Sequence, residues 1–429
     1  MTKKYSIPQL PLPNPLIASQ DGSFTELTIT QRMPRIARRV ITENNFPLEI
    51  NQDLEQLAKD LISGHIKAFA DDTGTDFISW QKYIQPYLQK RWLDVPWFFA
   101  ETYFYRYILS ITNYFQPGQW QNIDPFALQK QQSLTTSLDS TIKLAQQVNR
   151  WLAGNYQQST LQVTALTNLL YFSLWGNRVD LSLWSAVADD GTQKNTGSTD
   201  VQEERDRSKF DVQSQESHIL VNNIHPVIDL LLNSHKSAST RVDFIIDNAA
   251  FELVCDLCLV DFFLKSRLVT QVKLHLKFHP TFVSDAMIKD VNETINYFLT
   301  VNKSDMNLIG NRLQKYIKSG RLLLTDNYFW TSPLAFWQLT DSLQTDLAES
   351  SLIIIKGDAN YRRLLDDRKW SFTANIADII CYLPAPMVAL RTLKSEIVTG
   401  IKPAILQQVQ ATDADWLTNG KWGLVQFVE

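Results

Sequence analysis

Cysteine is scarce. Three residues in 429 cannot form a disulfide framework for a chain of this length, so a reducing, cytoplasmic compartment is expected. No apolar run reaches the ~18 uninterrupted residues of a membrane-spanning helix. Lys3 and Lys4 are followed by no apolar leader. An excess of one charge is missing too. Lysine and arginine number 41 against 45 aspartates and glutamates, a net −4, so neither nucleic acid nor an anionic membrane is expected as a partner. The glycine signatures GxGxxG and GxxxxGK(S/T) are absent, as are a GxSxG elbow and an HExxH helix. The hydrophobic share of 44% and charged share of 20% describe an ordinary globular protein.

What is present centres on Arg241 to Asp285. Val242, Phe244 and Ile246 begin an apolar run that stops at Asp247 and Asn248, and a mostly apolar segment of helical length follows. Val272, Leu274, Leu276 and Phe278 then alternate with Lys273, His275, Lys277 and His279, which predicts a strand. The chain next reaches Ser284 and Asp285. The pattern is strand, carboxylate, helix, strand, carboxylate. Open α/β sheets bind ligands beyond the carboxyl ends of their strands. Hard oxygen donors from Asp247, Asn248 and Asp285 suit a divalent cation such as Mg²⁺ or Mn²⁺.

Residues 1–185 read as a mainly helical amino-terminal domain after a proline-rich, extended start. Residues 186–216 read as a polar, flexible loop or linker. Residues 217–429 read as an α/β/α sandwich with a largely parallel sheet. Four apolar strands are expected to end in polar residues: Asn222-Asn223, Asp247-Asn248, the segment reaching Asp285, and Lys356 to Asn360. Residues 290–347 read as helix-rich, and Gly423–Val428 as a final strand. Arg32, Arg35, Arg38 and Arg39 cluster on one predicted helix, either as a solvated face or as a phosphate clamp.

Cys255-x-x-Cys258 lacks a second pair and falls on a predicted apolar helix, which favours buried thiols over a zinc site. The Lys273, His275, Lys277 and His279 face reads either as a polar sheet edge or, through Lys277, as help for an anion. Gly357-Asp358-x-Asn360 follows a strand and opens a helix, where free backbone N–H groups can meet an anion.

Taken together, Pro96–Arg106 (PWFFAETYFYR), Asp124–Lys130 (DPFALQK), Leu174–Asp180 (LWGNRVD), Asp247–Glu252 (DNAAFE), Pro280–Asp285 (PTFVSD), Lys356–Leu364 (KGDANYRRL) and Arg391–Lys394 (RTLK) resemble the metal-dependent damage-control phosphatase family, formerly domain of unknown function eighty-nine. The RTxK element marks its branch also described as protein-glutamate O-methyltransferase-like. The resemblance implies a helical amino-terminal domain on an α/β/α core. It implies catalytic and metal roles for Asp247, Asn248 and Asp285, with Mn, Co, Ni or Mg as the divalent metal. It implies substrate contacts at Glu252, Asp358, Asn360, Tyr361, Arg362 and Lys394. The expected activity is hydrolysis of small phosphorylated metabolites, sugar phosphates such as fructose 1-phosphate among them. The alternatives are S-adenosylmethionine-dependent protein carboxyl methylation, weakened by the missing glycine-rich loop, and a non-catalytic phosphometabolite-binding protein. Two departures are visible: Ala250 stands where DNAGFE is usual, and Ala359 where GDLNYR is usual.

Overall fold

The computed structural model describes residues 7–19, 22–69, 73–153, 159–176, 216–234 and 240–429. Seven strands form one sheet: β1 (Ile219–Asn222), β2 (Arg241–Ile245), β3 (Gln271–Lys277), β4 (Leu322–Asn327), β5 (Leu352–Lys356), β6 (Met387–Thr392) and β7 (Gly423–Val428). Their order is β1-β7-β6-β5-β2-β3-β4. Strands β2 to β6 run parallel, while β7 is antiparallel to β6 and parallel to β1. The expected α/β class with a largely parallel sheet is therefore the observed one.

Both sheet faces are covered, and β5 accordingly reads as a nearly continuous apolar run, whereas β2 and β3 carry ionisable residues on one face that pair with each other, as Asp243 does with His275 at 2.9 Å. Ile245, Ile353 and Ile355 face a core shared with the helices Met33–Glu43, Leu48–Ser63 and Trp97–Ile111. Phe244, Leu274 and Ile354 face a second core with the helices Leu138–Ala153, Ser159–Trp175 and Ala250–Lys265. Helices from the first 175 residues thus contribute to both outer layers. No helix among the described residues is long and apolar enough to cross a membrane. Apart from Glu216, the polar stretch 186–216 lies outside the described residues.

Three sequence expectations change. β4 lies inside the piece read as helix-rich. Its Leu322-Leu323-Leu324 run carries no strand preference of its own, and as an edge strand it is only partly buried. β1 runs against the five parallel strands, so its Asn222-Asn223 end lies at the opposite end of the sheet from Asp247. There Asn222 donates to the Tyr171 hydroxyl at 3.0 Å, and Asn223 accepts from the Phe427 N–H at 3.2 Å. The polar face of β3 is not an edge either, because β4 pairs beyond it. Lys273 pairs with Asp346, His275 with Asp243, Lys277 with Asp285 and His279 with Asp76.

From β2 the chain continues outward through β3 to β4, whereas β5 leads to β6 on the other side. The strand order reverses between β2 and β5. That reversal opens a crevice at the carboxyl ends of these two neighbours.

Candidate functional site

Asp247 and Asn248 follow β2 and precede the helix Ala250–Lys265, while Gly357 follows β5 and opens the helix Gly357–Leu364. Both helices therefore start at the crevice, with their unpaired N–H groups toward it. The loop after β3 is zipped onto this edge. Asn248 and Asp285 form an isolated bridge, Ala249 N donates to Ser284 O at 2.7 Å, and Ala286 N donates to Asp247 O at 2.8 Å. Phe282 and Val283 in that loop have φ of +47° and +67°, a strained backbone for non-glycine residues. Phe282 packs on Phe98 and Tyr105, which holds the loop in place.

An inner pocket of about 130 Å³ is lined by Asp247, Asn248, Glu252, Asp285, Asp358 and Lys394, among others. Asp247 is 5% exposed. Its Oδ2 accepts from Asn248 Nδ2 at 2.9 Å, and its buried Oδ1 has no hydrogen-bond partner. Burial, with Asp285 and Glu252 close by, pushes the Asp247 carboxyl well above the usual carboxylate range. Burial also raises Asp285, against the pull of Lys277 at 3.1 Å. The Asn248 side chain is fixed by Ser284 Oγ at 2.5 Å on its oxygen and by Glu252 Oε2 at 2.9 Å on its nitrogen. Glu252 is anchored in turn by Lys356 at 3.4 Å. A buried carboxylate oxygen without a donor is costly on its own, and beside further hard oxygen atoms it fits a divalent cation.

A different trio of possible ligands, Asp243, His275 and Asp346, brings its ligand atoms within 4.8 Å of one another. Its carboxylates are already taken by the protein's own cations. Arg241 pairs with Asp243 at 2.7 Å and Lys273 with Asp346 at 2.6 Å, which argues against a metal there.

The remaining expected site residues divide. Lys394 lines the pocket, and its ammonium has no side-chain partner among the described residues. Asp358 also lines it, but its Oδ1 holds the RTLK turn, accepting from Arg391 Nε at 2.9 Å, Ser395 Oγ at 3.0 Å and Lys394 N at 3.3 Å. Burial alone would raise Asp358; Arg391 and Arg362 hold it below its ordinary value. Arg362 lines the pocket with its guanidinium committed: both Asp367 oxygens accept from it at 2.8 and 2.9 Å, Glu101 accepts as well, and Trp97 stacks at 3.5 Å. Asn360 and Tyr361 do not line the pocket. Asn360 ties the strand ends together through Ile246 O, Lys356 O and Lys277 Nζ. Tyr361 points into the core, where its hydroxyl donates to Gln426 at 2.9 Å. Sequence reasoning missed Glu101, Phe282 and Ser284 as wall residues. Glu101 stands out in the sequence as a charge inside an aromatic helix that needs a partner once buried, and that partner is Arg362. Cys255 and Cys258 are buried, and burial raises both thiols, so they are inert.

Residues 28–408 match the family model described as the damage-control phosphatase ARMT1-like domain. The chain is 32% identical to damage-control phosphatase ARMT1 of Danio rerio, over 97% of each chain. It is 32% identical to that of Homo sapiens, over 96% of this chain and 98% of the relative. A DUF89 family protein of known structure from Pyrococcus horikoshii aligns over 93% of this chain and 96% of its own, with a TM-score of 0.47 and 12% identity.

Proposed function

The chain belongs to the damage-control phosphatase ARMT1-like domain family, and from that premise we propose that it is a metal-dependent phosphatase acting on small phosphorylated metabolites, sugar phosphates such as fructose 1-phosphate among them. The observation that carries this reading is the buried Asp247 Oδ1, which has no hydrogen-bond partner among the described residues, in a pocket shared with Asn248, Asp285 and Lys394. Asp247, Asn248 and Asp285 would hold a divalent cation, which when bound supplies charge neutralisation at the phosphoryl oxygens. Lys394 adds a compact positive charge for the same oxygens. The N–H groups that open the helix Gly357–Leu364 give further donors to the developing charge. The attacking group is either the Asp247 carboxylate or a water held in the pocket; in both cases phosphoryl transfer asks mainly for positioning and charge stabilisation. Trp97 and Phe282 add apolar surface to the lining.

The test is phosphate release from a sugar-phosphate panel, with and without Mn²⁺, Co²⁺, Ni²⁺ or Mg²⁺, in the wild type and in Asp285→Asn. Metal-dependent release is expected in the wild type and none in the variant, with an unchanged far-UV spectrum. Full activity of Asp285→Asn, or in excess chelator, refutes the reading. Methyl transfer to a protein carboxylate without phosphate release would favour the methyltransferase alternative.

A further inference from the structure

Outside the inner pocket lies a chamber of about 920 Å³. The two cavities share Arg32, Asn248, Glu252, Phe282 and Ser284 in their walls, so they adjoin. The inner pocket, about 130 Å³ against about 920 Å³ outside it, is much the smaller of the two. A metal and a phosphoryl group would take the inner pocket beside Asp247, and the far end of a substrate would face the chamber.

The chamber's charge is one-sided. Arg32, Arg35, Arg39 and Lys130 line it, and Glu252 at the junction is its only acidic residue among those described. Lys130 is neutralised by Asp124 and Asp290 at 3.1 and 2.9 Å, and Arg39 by Glu43 at 2.5 Å. Arg32 and Arg35 have no carboxylate partner among the described residues. They are three residues apart, Arg32 ending a π-helical turn (Thr28–Arg32) and Arg35 in the helix that continues it. Like charges at this spacing repel, and each guanidinium offers a planar fork that can pair bidentately with a phosphate or carboxylate. Hydroxyls such as Ser133 and Ser137 complete a polar wall.

We infer that this chamber is a second anion-binding subsite, so that the preferred substrate is a phosphomonoester whose far end carries another anionic group. The inference rests on the phosphatase reading for which phosphate is cleaved, but not for binding itself. Phosphate and carboxylate share the required chemistry, and the experiment separates them.

Calorimetry on the full chain compares a hexose 1-phosphate, the matching 1,6-bisphosphate and a hexuronic acid 1-phosphate, at low ionic strength, with chelator and again with Mn²⁺. The bisphosphate is expected to bind about ten-fold tighter than the monophosphate or better, with the advantage shrinking as salt rises. Arg32→Gln/Arg35→Gln should remove most of that advantage, and Arg35→Lys should restore part of the loss from Arg35→Gln. A uronic acid derivative that matches the bisphosphate identifies the subsite as a general anion site; one that matches the monophosphate identifies it as selective for phosphate. Equal affinities, or a preference that survives the double variant, overturn the inference. Phosphate release with equal affinities leaves the phosphatase reading standing alone. An intact preference without phosphate release from any compound sinks that reading and leaves the subsite. No binding of any compound counts against both.

Discussion

Gly357→Ala tests how tightly the centre is built. Gly357 has φ +76°, and a Cβ added there would lie 1.9 Å from Asp247 Oδ2 and 2.2 Å from its Cγ. An ordinary heavy-atom contact is about 3.5 Å, so the carboxylate or the Gly357 backbone must give way by about 1.6 Å. The left-handed backbone adds roughly 1–2 kcal/mol of strain for a residue with a Cβ. Displacement of a reacting group by about 1 Å costs on the order of 100-fold in rate. A fall in kcat/KM of at least about 100-fold is therefore expected, with weaker Mn²⁺ binding. The fold should survive, because the strain is a small part of a stability of about 5–15 kcal/mol. Steady-state phosphate release and metal calorimetry on the purified variant measure both effects, with a cooperative thermal melt as the control for folding. Wild-type kcat/KM and metal affinity in a folded Gly357→Ala protein would refute the idea that Asp247 must sit against Gly357.

Three further outcomes are expected. Lys394→Ala should lower kcat/KM for sugar phosphates about 10- to 100-fold through loss of a charge-assisted contact, with metal affinity much less affected; unchanged kinetics would exclude Lys394 from phosphate binding. Burial pushes Asp256 up to about 7; a carboxyl raised on folding contributes stability that is present below its unfolded value near ~3.9 and lost as pH rises through about 7. Asp256→Asn should therefore flatten the fall in Tm between about pH 4 and about pH 8, and an unaltered slope would contradict this. Ala250 has φ +57°, so Ala250→Gly trades strain of roughly 1–2 kcal/mol for a chain-entropy cost of about 0.5–1 kcal/mol. Denaturant unfolding should show equal or slightly higher stability, and a loss above about 1 kcal/mol would count against the strain argument.

The strand ends were legible where local pattern decides them. An apolar run halted by Asp247-Asn248, and a second ending in Lys356-Gly357, mark carboxyl ends of parallel strands in the sequence itself. The strand order that makes β2 and β5 neighbours was not legible, because pairing depends on contacts between distant segments. The direction of β1 is another such case, and it removes Asn222-Asn223 from the crevice. Arg362 shows the same limit at the level of side chains. Its cation is visible in the sequence, but its commitment to Glu101, 261 positions away, is not. Ala250 worked the other way. Its departure from glycine was visible at once, and the positive φ explains why glycine is the usual residue there.

The two cavities have walls of different tolerance to change. The inner one is made of strand ends whose atoms leave no space even for a methyl group at Gly357. The outer one is lined in part by exposed side chains of the helix carrying Arg35, where substitutions away from structural contacts alter stability by only about ±0.5 kcal/mol. Substrate preference can therefore drift by single neutral steps on that helix while the chemistry stays fixed, so selection for new substrates should draw its first mutations from the positions around Arg32 and Arg35.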